Sequence, residues 1–451
     1  MLAGLGMGAA MRAHASAPFG ASYISPLGFS LVYVPAFVTR NGFGIRSALS
    51  QPVFEKLLLH NLAHYRSVSC HFATTLAGIR QTEAGVDLEV EIAGGERRTL
   101  RAGYVLACDG AHSFVRRSLQ IPFDGRRIDE PHLVLDLAEF PDQSPFSRFF
   151  CNPQRPMNSV PAPYGGRRLE FMLSPGDDPE VMLADAKILE LVDRHSPYEA
   201  RDVKIIRRAV YGFSERIAGR LQDGRVFLLG DAAHIMPPFG AQGMNTGARD
   251  AANIAWKLAA VVRGELPSTI LASYEPERRS QIEQIVAYSV RIGRLANIRS
   301  RAIALVRDAF FAVTRLVPPA RRYFREMRYM PKPHIAAGLV VPDAAGLAGR
   351  IFPRLPALDD EQQAAFAIVA VDTTPQALER AAQHRLWASI PVITRAISSA
   401  ALEAREGAFV EPYAGHIVVV RPDRYVAVCA NENGLERDLN RFASQLGIGG
   451  S

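Results

Sequence analysis

Residues 224–258, GRVFLLGDAAHIMPPFGAQGMNTGARDAANIAWKL, constrain the fold more than any other stretch of the chain. A short apolar run ends at a Gly-Asp pair that includes Asp231, which predicts a strand leading into a turn. Two prolines, the second of them Pro238, stiffen the next loop because each fixes φ and removes a backbone donor. Gly240 and Gly243 allow the backbone to approach a flat ligand closely. The pattern predicts a strand, an irregular loop and a helix.

The helix of this stretch is predicted to begin near Met244 and Asn245. Its N-terminus presents N–H groups without a helical partner and the positive end of the helix dipole. Negative charge is therefore stabilised at this point. Small residues are predicted to form the inner face of the helix, namely Ala248, Ala251, Ala252, Ala255, Leu258 and Ala259.

A similar pattern occupies residues 104–119, YVLACDGAHSFVRRSL. An apolar strand ends at Cys108, Asp109 starts a turn, and Ser113 caps a short helix that carries Arg116. Ligands of parallel α/β sheets gather at the carboxyl ends of strands, where a carboxylate accepts hydrogen bonds from a ribose or ribityl hydroxyl. A simple Asp-Gly turn explains the same residues, so this stretch alone leaves both interpretations open.

The rest of the chain alternates between helical and strand-like periodicity. A helix is predicted from about Gln51 to Tyr65, and strands follow within 71–107. Residues 131–216 alternate like a sheet, with a helical insertion near 184–194. A stretch with Pro and Gly at 331–350 is interpreted as a linker, and the last segment ends in the strand pair HIVVVRP and RYVAVCA.

The composition places few limits on function. The 451 residues are enough for two or three domains, and 48% hydrophobic with 22% charged residues is typical of a globular protein. No run of about 18 apolar residues occurs, so no transmembrane helix is predicted. The four cysteines form no CxxC pair, which indicates reduced thiols, no zinc site and a cytoplasmic location.

Basic residues dominate between Arg278 and Lys332, although the net charge is only +7. The simple interpretation is a pair of helices with a solvated basic face and an apolar face turned elsewhere. A membrane surface or an acidic partner is the alternative, and nucleic acid is not expected because no reading module is present. The apolar residues of this region are Ile292, Leu295, Ile298, Leu305, Phe310, Phe311 and Leu316.

The glycines of GLGMG, from Gly4 to Gly8, are spaced almost like the fingerprint that binds a dinucleotide pyrophosphate. That fingerprint requires a strand before it and an acidic residue about 20 positions later. Only three residues precede Gly4, and residues 20–29 contain no Asp or Glu. We therefore interpret these glycines as a segment that does not bind the nucleotide.

Two stretches together resemble a known family. CDGAHSFVR and the whole of 224–258 are similar to the Asp-Gly and Gly-Asp motifs of the class A flavin-dependent aromatic hydroxylases, the FAD monooxygenases typified by p-hydroxybenzoate hydroxylase. The likeness extends from GIRSALSQPVFEKLL through SYEPERR. PDAAGLAGRIFPRL and GHIVVVRPDRYVAV resemble the thioredoxin-like extension of the 3-(3-hydroxyphenyl)propionate and phenol hydroxylase branch. The resemblance covers nearly the whole chain.

The resemblance implies an α/β fold with an incomplete Rossmann-like FAD-binding domain, an inserted mixed β-sheet substrate domain, a helical segment and a C-terminal thioredoxin-like domain. The implied bounds are 1–130 for a partial FAD-binding domain without its first βαβ unit, 131–216 for the substrate sheet, 217–275 for the return to the FAD-binding domain, 276–335 for the helical segment and 336–451 for the thioredoxin-like domain.

By this resemblance Asp231 would hydrogen-bond the ribityl chain of FAD, and Asp109 would serve both FAD and NAD(P)H. Gln51 matches a family glutamine near the ribityl chain, and Arg116 matches the arginine after the Asp-Gly turn. The pyrimidine edge of the flavin would contact Gly243, Met244 and Asn245.

The substrate would sit on the flavin face lined by Pro238, Phe239 and Gly240. Tyr211 and Phe213, from the predicted sheet, are candidates for further walls of the substrate pocket, and a role in the core explains them equally well.

The implied reaction is the hydroxylation of a phenol, such as a 3-hydroxyphenylpropionate-like acid, with NADH or NADPH and O2. NAD(P)H reduces FAD, O2 forms the C4a-hydroperoxide, and its distal oxygen is transferred to the ring. The cofactor supplies this chemistry, so neither a catalytic side chain nor a metal is predicted. His234 matches a residue of the loop scaffold. The expected partners are the small aromatic substrate and O2, without nucleic acid or an integral membrane segment, in a homodimer.

The chain departs from the family at its start, where no first strand, glycine fingerprint or acidic residue precedes Gly4. The expectation is that the sequence is truncated. A second hypothesis is an inactive fragment or pseudoenzyme without the GxGxxG pyrophosphate site. A third is a flavin or NAD oxidoreductase of different outcome, such as a halogenase or dehydrogenase, but the loop PPFGAQGMN favours a hydroxylase.

Overall fold

The computed structural model describes residues 2–38, 43–355, 358, 362, 365–401 and 410–448. Its helices and strands form a mixed α/β fold with several sheets, as the sequence predicts. The helices are α1 (Gly8–His14), α2 (Gln51–Leu62), α3 (Phe114–Ser118), α4 (Asp185–His195), α5 (Gly243–Val262), α6 (Tyr274–Ala296), α7 (Arg301–Leu316), α8 (Pro318–Arg325), α9 (Pro375–Ala382) and α10 (Leu435–Gln445).

The first strand begins at residue 20 and the last ends at residue 430. They are β1 (Gly20–Ile24), β2 (Ser30–Val34), β3 (Thr74–Gln81), β4 (Val86–Ile92), β5 (Arg97–Ala102), β6 (Val105–Ala107), β7 (Phe123–Leu137), β8 (Phe146–Phe150), β9 (Met157–Pro161), β10 (Arg167–Met172), β11 (Ile205–Ala218), β12 (Gln222–Asp223), β13 (Val226–Leu228), β14 (His234–Ile235), β15 (Phe366–Val371), β16 (Val392–Ile397), β17 (His416–Val420) and β18 (Val426–Ala430).

The largest sheet has eight strands in the order β14-β11-β7-β10-β9-β8-β1-β2. Its longest pairing is antiparallel, between β7 and β11. A separate three-stranded sheet, β12-β13-β6, carries the strands that precede the two motifs, and β6 and β13 run parallel in it. The carboxyl ends of β6 and β13 therefore lie side by side, as ligand binding at such ends requires.

The C-terminal sheet has the order β16-β15-β17-β18. Its strands β15 and β18 are buried throughout, which agrees with their continuous apolar sequences. The stretch 331–350, predicted to be a linker, contains no helix or named strand but contributes Leu339, Val341 and Leu347 to the core. It is therefore an integral part of the packed structure.

The predicted inner face of α5 is wrong. Ala251 and Ala255 are exposed, whereas Asp250, Asn253 and Lys257 are buried. The sequence pattern placed the small apolar residues inside because buried charges are costly. In the fold each of these three polar side chains bonds to a residue of α6, which offsets the cost of its burial.

The predicted orientation of the basic region is also wrong for α7. This helix buries Ala304, Arg307 and Phe311, whereas Leu305 and Phe310 are exposed. Periodicity identifies an apolar face but does not say whether the core covers it. Within the described ranges, no helix combines the length and the apolar character needed to cross a bilayer.

Candidate active site

The Asp-Gly turn follows β6 and leads directly into α3. Asp109 Oδ2 accepts a hydrogen bond from the backbone N of Val115 at 3.0 Å, and Ser113 Oγ accepts one from the backbone N of Arg116 at 2.9 Å. Both side chains thus satisfy free N–H groups at the start of the helix. The Asp109 side chain is nevertheless exposed, so its second oxygen is open to a ligand.

Arg116 is buried beneath the two motifs. Its Nη1 donates to the carbonyl of Ala232 at 2.8 Å, and its Nη2 donates to the carbonyl of Ala111 at 2.8 Å. The guanidinium also lies 3.8 Å from the centre of the Phe123 ring. Arg116 therefore links the Asp-Gly turn to the Gly-Asp loop, and sequence alone gave no sign of this contact.

The Gly-Asp loop packs directly on α5. A Cβ added to Gly247 would lie 3.1 Å from the Cα of Gly230, a closer approach than side chains ordinarily allow. Gly230 also has φ +55°, a backbone conformation that glycine adopts without strain. Two glycines are thus required where the loop meets the helix.

Asp250, His234 and Arg278 form a buried cluster under this loop, which we call the loop cluster. Asp250 Oδ2 accepts from the backbone N of Gly230 at 3.0 Å and lies 2.7 Å from His234 Nε2. Arg278 Nε donates to the other carboxylate oxygen at 2.7 Å. Burial by itself would raise the pKa of Asp250, but the bonds from His234 and Arg278 outweigh it and lower that pKa.

His234 lies buried in the loop cluster, and its role in the loop scaffold stays what the resemblance implies. Asp250 and Arg278 were not predicted. A weak signal was present in the sequence, because Asp250, next to Arg249, is the sole acidic residue of the helix predicted from Met244 to Leu258. Arg278 lies in the stretch SYEPERR, which contributed to the resemblance without a role being given to the arginine.

Five of the predicted site residues line one cavity of about 480 Å³, which we call the loop cavity. Two were predicted to hold the cofactor and three to contact the substrate. They are Gln51, Tyr211, Phe213, Asp231 and Pro238. The volume falls in the range of small-molecule sites, about 300–1000 Å³. The carboxylate of Asp231 is exposed, and no described residue donates a hydrogen bond to it.

Three further predicted residues form the first turn of α5. Gly243 begins the helix, Met244 is exposed, and Asn245 Nδ2 donates to the carbonyl of Ala241 at 3.1 Å. The loop before them is covered by α6, because a Cβ on Gly240 would lie 2.7 Å from Cε1 of Tyr288. Gly240 is therefore needed for this close contact.

Phe239 is buried instead of open to the loop cavity. Its ring lies 6.2 Å from that of Phe213 and 6.0 Å from that of His132, between centroids. A Cβ on Gly293 of α6 would lie 2.4 Å from the Phe239 ring. Phe239 thus fixes the loop between the large sheet and α6.

A second, larger cavity of about 1000 Å³ lies among β1, β2, α6, α7, α8 and the segment after α8, and we call it the aromatic cavity. Tyr23, Tyr288 and Tyr329 line it, and the rings of Tyr288 and Tyr329 stack with centroids 6.2 Å apart. Burial raises the pKa of Tyr288 to about 12, so its hydroxyl stays protonated at neutral pH. Tyr288 therefore contacts both the loop, through Gly240, and this cavity.

The residues present fit the flavin and ribityl parts of FAD. Asp231 offers a free acceptor, Gln51 offers an exposed amide, and the first N–H groups of α5 have no carbonyl partner within the helix. For the adenosine part, the described residues give no matching loop at Gly4–Gly8. Gly4 lies in a 3₁₀ turn and Gly8 at the start of α1.

Comparison with known proteins agrees with this geometry. Residues 5–289 match the model of a family described as FAD binding domain. A 3-(3-hydroxy-phenyl)propionate/3-hydroxycinnamic acid hydroxylase of Klebsiella pneumoniae subsp. pneumoniae is 34% identical over 453 aligned positions, which cover 94% of this chain and 82% of the relative. The protein of the same description from Shigella sonnei is 31% identical with the same coverage.

Solved structures are similar over almost the whole chain. The flavin-dependent monooxygenase PieE, solved with FAD and substrate, aligns with a TM-score of 0.77 at 19% identity and covers 99% of this chain and 90% of its own. Anhydrotetracycline hydroxylase OxyS from Streptomyces rimosus aligns with a TM-score of 0.74 at 22% identity, covering 100% and 89%. The family match and the relatives together show that the chain belongs to the FAD-dependent aromatic hydroxylases.

Proposed function

We propose that this chain hydroxylates a phenolic ring that carries a carboxylate side chain, of the 3-(3-hydroxyphenyl)propionate type, with FAD, NAD(P)H and O2. Membership of the FAD-dependent aromatic hydroxylases supports the reaction class. The observation that carries the proposal is the loop cavity, where Asp231 and Gln51 meet Tyr211 and Phe213 of the sheet. Groups for a flavin and groups for an aromatic ring thus converge on one site.

The flavin would be held at the Gly-Asp loop and at the start of α5. Asp231 and Gln51 would accept and donate hydrogen bonds along the ribityl chain, and the free N–H groups at Gly243 and Met244 would face the pyrimidine edge. The helix N-terminus stabilises negative charge on that edge when the flavin is reduced. When bound, FAD supplies electron transfer from NAD(P)H and oxygen transfer to the ring. Asp109, with one carboxylate oxygen open, would contribute a further acceptor.

The aromatic cavity supports an aromatic substrate that reaches the loop from the side of α6. Its lining offers stacking surfaces from Tyr288 and Tyr329, and its predominantly apolar walls exclude water around the ring. Because Tyr288 also touches Gly240, a ring in this cavity would lie next to the loop. Tyr211 and Phe213, which line the loop cavity, stay the predicted walls of the substrate pocket on the side of the large sheet.

The charge of the aromatic cavity supports an acidic substrate. Arg291 and Lys332 line it, and neither forms an ion pair with a described carboxylate. Glu283 is the sole acidic lining residue among those described. An arginine without a partner is well placed to bind a substrate carboxylate through a charge-assisted hydrogen bond.

The first experiment asks whether the purified chain is a hydroxylase. We expect a yellow protein that retains FAD, oxidises NAD(P)H and consumes O2 when 3-(3-hydroxyphenyl)propionate is added, and yields a product with one more hydroxyl. NADH and NADPH are compared in parallel. A colourless protein would favour the inactive-fragment hypothesis, and flavin reduction without a hydroxylated product would favour a different oxidoreductase.

The second experiment tests the acid-binding residue. Replacing Arg291 by alanine should raise KM for 3-(3-hydroxyphenyl)propionate about tenfold or more, because one charge-assisted hydrogen bond contributes about 1.5–3 kcal/mol. KM for the uncharged analogue 3-ethylphenol should stay unchanged. Arg294→Ala is the matched control, since Arg294 is exposed on the same helix but does not line the cavity. An equal change for both phenols would contradict a carboxylate contact.

The finer architecture is also part of this proposal. The order β16-β15-β17-β18, with β15 and β16 parallel and β17 and β18 antiparallel to their neighbours, supports a thioredoxin-like C-terminal domain. The domain bounds given above, with an incomplete Rossmann-like part and an inserted substrate sheet, follow from the resemblance and remain proposed. The four free cysteines support a cytoplasmic location. A homodimer is proposed as well, and sedimentation of the holoenzyme tests it.

A further inference from the structure

Helix α7 turns a broad apolar face away from the core. Six large apolar side chains on it are between 56% and 82% exposed: Ile303, Leu305, Val306, Phe310, Val313 and Leu316. At 3.6 residues per turn they spread over about half of the helix circumference, opposite the buried residues Ala304 and Phe311. We call these six residues the α7 face.

The charged side chains of α7 lie on its inner side or flank instead. Arg307 is buried and donates to the carbonyls of Cys151 and Leu295. Asp308 pairs with Arg307, and Arg315 donates to the carbonyl of Ser30. The helix is amphipathic, with its charged groups toward the protein or on its flank and its apolar groups outward. This is the reverse of a helix on a water-exposed protein surface.

Single exposed apolar residues are common on protein surfaces, but a continuous apolar ridge of this size is not. No described residue covers the α7 face. A large contiguous apolar patch with a polar rim is characteristic of a surface that contacts another molecule or a membrane.

Exposed basic residues adjoin the α7 face at both ends of the helix, and we call them the basic rim. Helix α8, which follows immediately, has no buried residue and exposes Arg321, Arg322 and Arg325. Arg301 is exposed at the start of α7. The acidic residue nearby, Glu326, already pairs with Arg328 and lies 4.0 Å from Arg322. The surface around the ridge therefore attracts anions.

We propose that the α7 face binds an anionic lipid surface, with α7 lying in the plane of the membrane. Its apolar side chains would enter the boundary between headgroups and acyl chains, and the arginines of α8 would contact lipid phosphates. Charge decides against a second copy of the chain, because pairing two α7 faces would bring two basic rims together. An acidic protein would match the rim, but it would need a groove to cover a convex ridge half a helix wide.

The test uses the FAD-loaded full chain and vesicles of phosphatidylcholine with or without phosphatidylglycerol. In flotation we expect the protein to bind vesicles that contain phosphatidylglycerol and to bind pure phosphatidylcholine much more weakly. Replacing Val306 and Phe310 together by serine should weaken binding about 100-fold, since burial of each side chain contributes at least a factor of about ten. Val262→Ser is the matched control, because Val262 is 74% exposed at the end of α5.

A separate variant tests the basic rim. Arg321→Gln with Arg325→Gln should reduce binding to phosphatidylglycerol vesicles several-fold and leave the weak binding to pure phosphatidylcholine unchanged. All replaced side chains are exposed, and FAD content and near-ultraviolet circular dichroism serve as controls for folding.

Three outcomes would overturn the proposal. The first is a wild-type protein that stays unbound in the presence of phosphatidylglycerol vesicles. The second is a Val306→Ser, Phe310→Ser variant that binds them as well as the wild type. The third is a dimer, detected by sedimentation, that this variant converts to a monomer, which would assign the α7 face to a second copy. Hydroxylase activity is measured separately, so its absence would not affect this result.

Discussion

Helices α5 and α6 are joined by buried charges at two levels, and each level holds a different part of the molecule. The loop cluster lies in the N-terminal half of α5, where Asp250 on α5 meets Arg278 on α6. Seven residues further along α5, Lys257 meets Glu277 on α6 with the charges reversed. The two contacts therefore use adjacent residues of α6, Glu277 in one and Arg278 in the other.

The second level, which we call the Glu277 cluster, is formed by Lys257, Glu277, Arg421, Asn253 and Asp423. Glu277 accepts hydrogen bonds from Lys257 Nζ at 2.9 Å, Asn253 Nδ2 at 2.6 Å and Arg421 Nη2 at 2.7 Å. Its other oxygen accepts from the backbone N of Leu339 at 2.8 Å. Arg421 directly follows β17, so this carboxylate of α6 fastens the C-terminal sheet.

The difference lies in which backbone each carboxylate supports. Asp250 accepts the N–H of Gly230 in the site loop, whereas Glu277 accepts the N–H of Leu339 in the segment that leads to the C-terminal sheet. Burial alone would raise the pKa of Glu277, but Arg421 and Lys257 outweigh it and lower that pKa. Burial lowers the pKa of Lys257 to about 8. The same chemistry therefore supports the Gly-Asp loop at one level and the attachment of the C-terminal sheet to α6 at the other.

The largest expected effect comes from removing the central carboxylate of the Glu277 cluster. Glu277→Leu leaves the buried Lys257 without its counter-charge and leaves Arg421 with Asp423 alone, so the free energy of unfolding should fall by about 3–5 kcal/mol. Urea unfolding measures it. Glu190→Leu is the control, because Glu190 belongs to an exposed pair with Lys187 and should change stability by less than about 0.5 kcal/mol. A loss below about 1 kcal/mol for Glu277→Leu would contradict a stabilising role.

Acid should weaken both levels. The pKa values of Asp250 and Glu277 are lowered in the folded protein, so the unfolded chain binds protons first as the pH falls. Their contribution to stability is complete above the ordinary values of 3.8 and 4.5 and is lost as the pH falls toward the lowered values. Urea midpoints measured from neutral pH downward should decline less steeply below about pH 4.5 in Glu277→Leu than in the wild type. Equal slopes would mean that Glu277 does not titrate in this way.

A smaller effect on stability, with a clear effect on the site, is expected for Asp250→Asn. The amide keeps the shape but loses the charge that faces Arg278, so stability should fall by about 2 kcal/mol. The dissociation constant of FAD should rise about tenfold, because the Gly-Asp loop loses part of its support. Flavin fluorescence measures it.

The matched control for this change is Asp223→Asn, in an exposed pair with Arg220. It makes the same chemical replacement outside the cluster and should leave FAD affinity unchanged. If both variants bind FAD equally well, the loop cluster does not support the cofactor site.

The smallest effect on stability is expected for Asp231→Ala. Its exposed carboxylate has no described hydrogen-bond donor, so the free energy of unfolding should change by less than about 0.5 kcal/mol while the FAD dissociation constant rises about tenfold or more. Asp109→Ala offers a contrast, since it also removes the hydrogen bond that the backbone N of Val115 donates at the start of α3, and it should cost about 1 kcal/mol. Unchanged FAD occupancy in Asp231→Ala would refute its assignment.

The sequence predicts those parts of the site that depend on local patterns. The strands before both motifs and the helices after them occur where expected, and five predicted residues line the loop cavity. Contacts between distant residues were not predictable. Arg116 meets Ala232 across 116 positions, and Asp250 meets Arg278 across 28, and no local periodicity encodes such pairs. For α7, periodicity gave the apolar face but not the side on which the core lies.

The adjacency of Glu277 and Arg278 on α6 has a consequence for the thermal unfolding of the protein. Glu277, which binds Arg421 next to the C-terminal sheet, and Arg278, which binds Asp250 under the Gly-Asp loop, are consecutive residues of α6. Loss of α6 structure at this point would release both at once, so neither region can open alone through these contacts. We expect heat unfolding of the whole chain to be one cooperative transition, with FAD release and loss of the C-terminal sheet at the same temperature.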